Sequence, residues 1–377
     1  MKSEIKPIRV LHILNCFDQG GIENFIMNVY RNIDRSLVQF DFALTENVKG
    51  FFEDEITSLG GRYYYFDSNS KNIWNYYLNL RRIINDYGPF VAVHSHLYYF
   101  SGFFLFVARQ CGVKIRIAHS HETEKGRKPT LLRKSYEFIM RLMIKKNATH
   151  WLSCSDIAGR YVFGKDVPYH VLYNGIDLKR FKFSVVSRQK IRQELGFDNS
   201  YVIMNVGRFA EQKNHFFIVQ VFHELLRRVP NSKLLLIGTG SLREEIEKRC
   251  KKLGISDRVV ILYNIQNTEE YYDAADAFIL PSLYEGMGIV VIESQACGLY
   301  TLISDKVTRE VGVTDISNFL PIEGEEAVHL WANKLSEINK MDINRSIYNA
   351  QIVPTSFNVD VTVRDLVAIY TSTSDNE

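Results

Sequence analysis

Long apolar runs are missing from this 377-residue chain. No stretch reaches the about 18 consecutive apolar residues that a membrane-spanning helix needs. The apolar opening at 8–14 is interrupted by Arg9 and His12 and runs into a polar loop, which is not the form of a signal peptide. Cysteine is scarce. The five (Cys16, Cys111, Cys154, Cys250, Cys297) are odd in number, far apart and without a C-x-x-C, which excludes a disulfide framework and suits a reduced, cytosolic protein. No D-x-D occurs, so a divalent ion held by paired carboxylates is not indicated. No G-x-G-x-x-G occurs either, which argues against a nicotinamide cofactor. With only 8 prolines and 46% hydrophobic residues, collagen-like and disordered classes are out. The length suits two or three domains at about 150 residues each.

The net charge of +3 hides an asymmetry. Residues 1–175 carry 23 Lys and Arg against 16 Asp and Glu, and residues 176–377 carry 23 against 27. Much of the first-half excess lies in 125–146, where eight basic residues accompany one acid, Glu137. A basic face of this kind suits nucleic acid, an anionic membrane or a phosphorylated substrate.

Strand-like runs at 8–14, 40–44, 91–96, 115–120 and 150–155 alternate with helical patterns, one of them carrying Ile22, Phe25, Ile26, Val29 and Ile33. That alternation predicts a parallel sheet covered on both faces. A strand at 171–176 leads into a polar stretch through Lys190, where the domain junction is expected. The second half repeats the scheme, with strands at 201–206, 233–237, 259–262, 278–280 and 300–303 and helices at 214–228, 242–253 and 289–297. The expected organisation is a domain over 1–175, a second over 176–355, and a C-terminal helix and tail over 356–377 that packs back on the first. Two doubly wound domains facing a central cleft would set two switch-point crevices opposite each other, a place to hold two substrates.

Four groups of residues can carry chemistry. Gly20 and Gly21 sit between a strand and a helix, where a ligand can approach the backbone and free N–H groups can meet an anion. His119 and His121 close one strand, and His94 and His96 another. Metal ligation by such pairs is conceivable, but no Asp or Cys set with metal spacing joins them, and a substrate contact at a strand's carboxyl end is the better reading. Arg208 and Lys213 bracket the turn after the first strand of the second half and can reach one anionic group over a helix N-terminus. Glu285 and Glu293 place one carboxylate in a glycine-containing loop and another in the following helix, both able to accept bonds from hydroxyls of one ligand.

Together these pieces resemble the retaining family-four glycosyltransferases of the GT-B fold, in particular the bacterial enzymes of exopolysaccharide and capsule assembly. The resemblance covers most of the chain. It rests on Gly20 and Gly21, His119 and His121, Asn174 to Asp177, Gly207 and Arg208 with Lys213, Gly238 and Gly240, and the E-x7-E pair Glu285 and Glu293. It implies that Arg208 and Lys213 hold the donor diphosphate, that Glu293 binds the nucleotide ribose, and that Glu285, Gly286, Met287 and Gly288 contact the donor sugar. His119, with His121 second, would lie by that sugar, and Gly20 and Gly21 would close on the diphosphate. Asn174, Gly238 and Gly240 count among the substrate-binding positions. The loop departs from the family's usual E-G-F-P or E-G-L-P at Met287 and Gly288, which bears on the identity of the sugar.

The implied activity is transfer of a sugar, with retention, from a UDP-sugar to a lipid-linked or saccharide acceptor. No metal or other cofactor is expected, and leaving-phosphate charge would be met by Arg208, Lys213 and helix N-termini. A non-catalytic nucleotide-sugar-binding partner subunit and a GT-B epimerase or hydrolase are the competing readings. Nucleic acid is not an expected partner, because the basic segment carries no recognised motif. That segment instead suits a cytoplasmic protein held peripherally on the anionic inner face of a membrane through residues 125–146.

Overall fold

The structure is a computed structural model that describes residues 6–17, 20–67, 72–121 and 130–372. It divides into two compact units. One comprises the chain to Gly175 together with the C-terminal part from Val359, and the other runs from Ile176 to Asn358.

The first unit is built on seven parallel strands: β1 (Ile8–Leu14), β2 (Val38–Leu44), β3 (Arg62–Tyr65), β4 (Ala92–Ser95), β5 (Ile115–Ser120), β6 (His150–Ser153) and β7 (His170–Val171). Their order is β3-β2-β1-β4-β5-β6-β7. The chain thus works outward from β1 in one direction, returns, and works outward in the other, so the switch point lies between β1 and β4. In that register His12 of β1 sits opposite His94 of β4. Burial on both faces explains why β1 and β2 read as nearly continuous apolar runs. Helix Gly21–Asn32 packs Phe25, Ile26, Met27, Val29 and Tyr30 inward, and helix Val359–Thr371 adds Leu366 and Tyr370 to the same core.

The second unit repeats the plan with β8 (Tyr201–Val206), β9 (Ser232–Ile237), β10 (Val259–Leu262), β11 (Ala277–Leu280), β12 (Tyr300–Ser304) and β13 (Ser317–Leu320), all parallel, in the order β10-β9-β8-β11-β12-β13. Its switch point lies between β8 and β11. Trp331 is fully buried at the centre of its core, and its indole N–H donates to the Pro321 carbonyl at 2.8 Å.

Three local readings need correction. Of the run at 171–176 only Val171 is in a strand, the two-residue β7, because the chain leaves the sheet there and Ile176 bridges to Asn358. Gly175 fits because a side chain would collide with Thr362 Oγ1 and the Val359 backbone. The polar stretch before Lys190 is not a linker throughout. Val185–Leu195 is a helix capped by Ser184, and Arg188 and Arg192 form its packing face, donating to the carbonyls of Asp273, Ala274 and Ala275 and to Asp276. Lastly, β3 and β13 are short sheet-edge strands without an apolar signature, and sequence patterning passes over such strands.

Candidate functional site

At the second unit's switch point, two loops are bolted together. After β8, Phe209 N donates to Thr239 O at 2.7 Å. The two chains approach so closely that a Cβ on Gly238 would stand 2.0 Å from Gly207 O, and one on Gly240 2.4 Å from Phe209 O. Both glycines are therefore required by backbone contact. A single 3-10 turn, Glu211–Lys213, then leads through Asn214, at φ +53°, into helix His215–Leu226. Leu283 N donates to Gln212 O at 2.9 Å, Gln212 Nε2 to Tyr284 O at 2.9 Å, and Asn214 Nδ2 to Pro281 O at 3.2 Å, which fastens this turn to the loop following β11.

The fastening aligns Lys213 with Glu285. Lys213 Nζ stands 2.5 Å from Glu285 Oε1, which also accepts a bond from Ser282 Oγ at 2.6 Å. Only 15% of the lysine and 7% of the glutamate side chain is exposed. Arg208, by contrast, is exposed, and among the described residues its guanidinium makes no hydrogen bond or ion pair. The second unit thus offers one exposed cation as well as one already neutralised.

Beyond this pair, Met287, which the resemblance places in the loop by the donor sugar, is buried. Gly288, at φ +69°, makes the turn into helix Val290–Ala296. Glu293 lies on that helix and its Oε2 accepts a bond from Tyr272 at 2.9 Å. Burial pushes its carboxyl up to about 6, opposed by the Tyr272 hydroxyl and by Arg180. Arg180 is itself held by Glu269 at 2.7 Å. Neither Tyr272 nor Arg180 was picked out from sequence, since a lone tyrosine or arginine carries no spacing signal.

The first unit's switch point gathers five histidines. His94 and His119 end β4 and β5, and His96 and His121 follow directly, with each pair on one strand face as the H-x-H spacing requires. His12 of β1 is the fifth, and the sequence reading noted it only as an interruption. Two files of hydrogen bonds run through them. In one, Tyr370 Oη stands 2.8 Å from His94 Nδ1, and His94 Nε2 3.1 Å from His119 Nδ1. In the other, His12 Nδ1 stands 3.1 Å from His96 Nε2, and His96 Nδ1 2.9 Å from His121 Nε2. Burial holds all five well below the usual imidazole range, His121 at about 3, so all are neutral near pH 7. Among the described residues, His12 Nε2, His119 Nε2 and His121 Nδ1 are buried without a hydrogen-bond partner. Ring nitrogens of His12, His94 and His96, and again of His96, His119 and His121, lie within 4.8 Å of one another, so either all-histidine set has the spacing to hold a metal ion.

Helix Gly21–Asn32 covers this cluster. Phe25 meets His119 edge-on at 5.2 Å between ring centres, and Gly20 caps the helix with its backbone. A Cβ at Gly21 would meet nothing within 4 Å, so the turn opens onto free space. Residues 18 and 19 of the same loop lie outside the described residues. Asn174 stands at the end of the first unit with its Oδ1 buried and unpartnered, while Asp177 caps the backbone N–H groups of Lys179 and Arg180.

Two parallel, doubly wound sheets, each with polar groups collected at its switch point, define the GT-B class of glycosyltransferase. The family profile "Glycosyltransferase Family 4" matches residues 19–180 and "Glycosyl transferases group 1" matches residues 187–343. A glycosyltransferase, EpsF, of Bacillus subtilis is 35% identical over 87% of both chains. The capsular polysaccharide biosynthesis glycosyltransferase CapH of Staphylococcus aureus is 22% identical over 97% of this chain and 99% of its own. Among solved structures, Anabaena HepE in complex with UDP and glucose superimposes with a TM-score of 0.80 at 15% identity, covering 97% of this chain and all of that one. The chain belongs to the family-four glycosyltransferases, with the GT-B fold.

Proposed function

We propose that the protein moves a sugar, with retention, from a UDP-sugar to a lipid-linked or glycan acceptor, the second unit holding the donor. The observation that carries this reading is the Lys213–Glu285 pair, locked between the two loops at the switch point and flanked by an exposed, unpartnered Arg208. Arg208 supplies the free cation for the diphosphate. Lys213, on leaving Glu285, supplies a second, and the released carboxylate is then available to hydroxyls of the donor sugar. Glu293 accepts from the ribose hydroxyls. Positioning and stabilisation of the leaving phosphate carry the acceleration, with no metal required. HepE, crystallised with UDP and glucose, supports the choice of uridine nucleotide. Calorimetric titration with UDP and a panel of UDP-sugars tests it: Arg208→Ala should weaken binding at least tenfold, and equal affinity in both proteins would refute the assignment.

The acceptor side of this reading places the protein on a membrane. No helix among the described residues is long and apolar enough to cross one. Along helix Leu131–Asn147 the apolar residues Leu132, Tyr136, Ile139 and Met143 recur at three- or four-residue steps. Met140 and Ile144 face the core and Tyr136 and Met143 pack against it, while Leu131 and Leu132 are each 85% exposed and Phe138, Ile139 and Leu142 more than half. Those side chains share the outer surface with Arg133, Lys134, Lys145 and Lys146. A solvated basic face does not explain five exposed apolar residues, whereas insertion at an anionic interface does. Residues 125–129, also part of the expected membrane segment, lie outside the described residues.

A further inference from the structure

We infer that Tyr370, from the C-terminal helix, sets the tautomer of His119 through His94, so that His119 presents Nε2–H, and not a bare nitrogen, to the ligand. The inference deepens the reading of His119 as a contact to the donor sugar and rests on it.

The argument is donor counting. A neutral imidazole has one N–H and one bare nitrogen, so a bond made at one ring nitrogen dictates the state of the other. Three groups stand in file. Tyr370 Oη is 2.8 Å from His94 Nδ1, His94 Nε2 is 3.1 Å from His119 Nδ1, and His119 Nε2 ends the file without a partner. All three residues are buried. Two proton arrangements satisfy both bonds. If His94 Nδ1–H donates to the phenol oxygen, the phenol's own O–H is left buried, since among the described residues Tyr370 Oη has no other partner. His119 Nδ1–H then donates to His94 and Nε2 is bare. If instead the phenol donates to His94 Nδ1, His94 Nε2–H donates to His119 Nδ1, and only His119 Nε2–H is left over. The second arrangement strands one polar group and the first strands two. Each strands one donor, but the first strands a bare nitrogen as well, and its phenol O–H stays stranded even with a ligand at His119, so the second arrangement is the one held.

The remaining N–H is positioned at the carboxyl end of β5, beneath Phe25 and the helix that opens at Gly20 and Gly21. It can donate to a hydroxyl or to an anionic oxygen. Tyr370 is a positioning residue here. It acts on the ligand through two rings and does not touch it.

The test is ring-nitrogen NMR on protein carrying 15N-histidine, free of ligand and assigned with a His119→Gln variant. Wild-type His119 should show a protonated Nε2 and a bare Nδ1. In Tyr370→Phe that single tautomer should give way to a mixture, with the melting temperature little changed. Turnover with whichever UDP-hexose is accepted should fall three- to tenfold in kcat, with KM within twofold. A bare Nε2 in the wild type, an unaltered His119 in Tyr370→Phe, or a stoichiometric metal ion bound to these rings would overturn the inference. Should Tyr370→Phe not fold, the wild-type spectrum alone decides. Because the tautomer is read without donor or acceptor, failure of the transferase reading would show separately, as absent turnover with the tautomer intact.

Discussion

Lys213 and Glu285 come from opposite sides of the second unit's switch point and meet at 2.5 Å, with Ser282 completing the shell around the carboxylate. In the proposed donor reading, the site's second cation is held in this partly buried ion pair until an anion competes for it. Arg208 is exposed and, among the described residues, unpaired, so in the proposed reading it makes first contact with the diphosphate.

This difference separates the two cations experimentally. Arg208→Ala should lower kcat by about 10²- to 10³-fold, as loss of an oxyanion-stabilising donor does. It should leave the melting temperature nearly unchanged, because nothing in the fold leans on it. Lys213→Ala should cost a comparable factor in kcat and also destabilise the fold by about 1–3 kcal/mol, because Glu285 loses its cation in a buried setting. Parallel kinetics and thermal melts check both statements.

Glu293 gives donor binding a pH dependence. Its carboxyl is raised to about 6 by burial, and the ionised form is the better acceptor for ribose hydroxyls. Affinity for a UDP-sugar, whose phosphates do not titrate in this range, should be level above pH 7 and decline below about 6, by at most tenfold per unit. Glu293→Gln should bind more weakly at pH 7 and show no decline. A wild-type profile that is flat from pH 5 to 8 would remove Glu293 from the ribose.

The histidine cluster sets acid stability. In the folded chain these rings have their affinity for protons lowered by burial, whereas in the unfolded chain they take up protons below about 6.5. The unfolded state thus binds more protons, and stability present above that pH is lost as pH falls toward the folded values. Each such ring contributes a slope of about 1.4 kcal/mol per pH unit. Denaturant titrations between pH 7 and 5 should give a slope worth at least two protons, and His12→Gln should reduce it by about one.

The membrane prediction concerns the outer face of helix Leu131–Asn147. Sedimentation with anionic vesicles should exceed that with neutral ones and weaken with salt, since each basic residue near the surface contributes about 1 kcal/mol. Lys134→Glu, Lys145→Glu and Lys146→Glu together should abolish the preference. Leu131→Ser with Leu132→Ser should weaken binding even at low salt. Equal recovery of all proteins on both lipids would leave this helix a covering helix with an unexplained apolar surface.

Much of this was legible in the sequence because strand–helix alternation and the positions of Gly207, Arg208, Lys213, Glu285 and Glu293 are local signals. Buried parallel strands such as β8 and β11 are apolar but for Asn205, and a loop between such a strand and a helix points to the carboxyl end of a sheet. What sequence did not give is what distant segments bring. His12, 82 residues from His94, joins the cluster only through the pairing of β1 with β4, and Tyr370 joins only because the C-terminal helix packs into the first unit. The division of helix Leu131–Asn147 between core and surface was hidden for a related reason. Both of its faces carry apolar residues, so periodicity alone could not tell which one the core takes.

The central claim is transfer from a UDP-sugar without a metal. The direct measurement is UDP release over a panel of UDP-sugars with an undecaprenyl-diphosphate-linked acceptor, in EDTA, with the anomeric configuration of the product read by NMR. The account predicts acceptor-dependent UDP release from one donor, an α-linked product from an α-linked donor, and loss of turnover in Arg208→Ala. Release of free sugar or an epimer without acceptor, an inverted linkage, or activity abolished by EDTA and restored by Mg²⁺ or Mn²⁺ would contradict it.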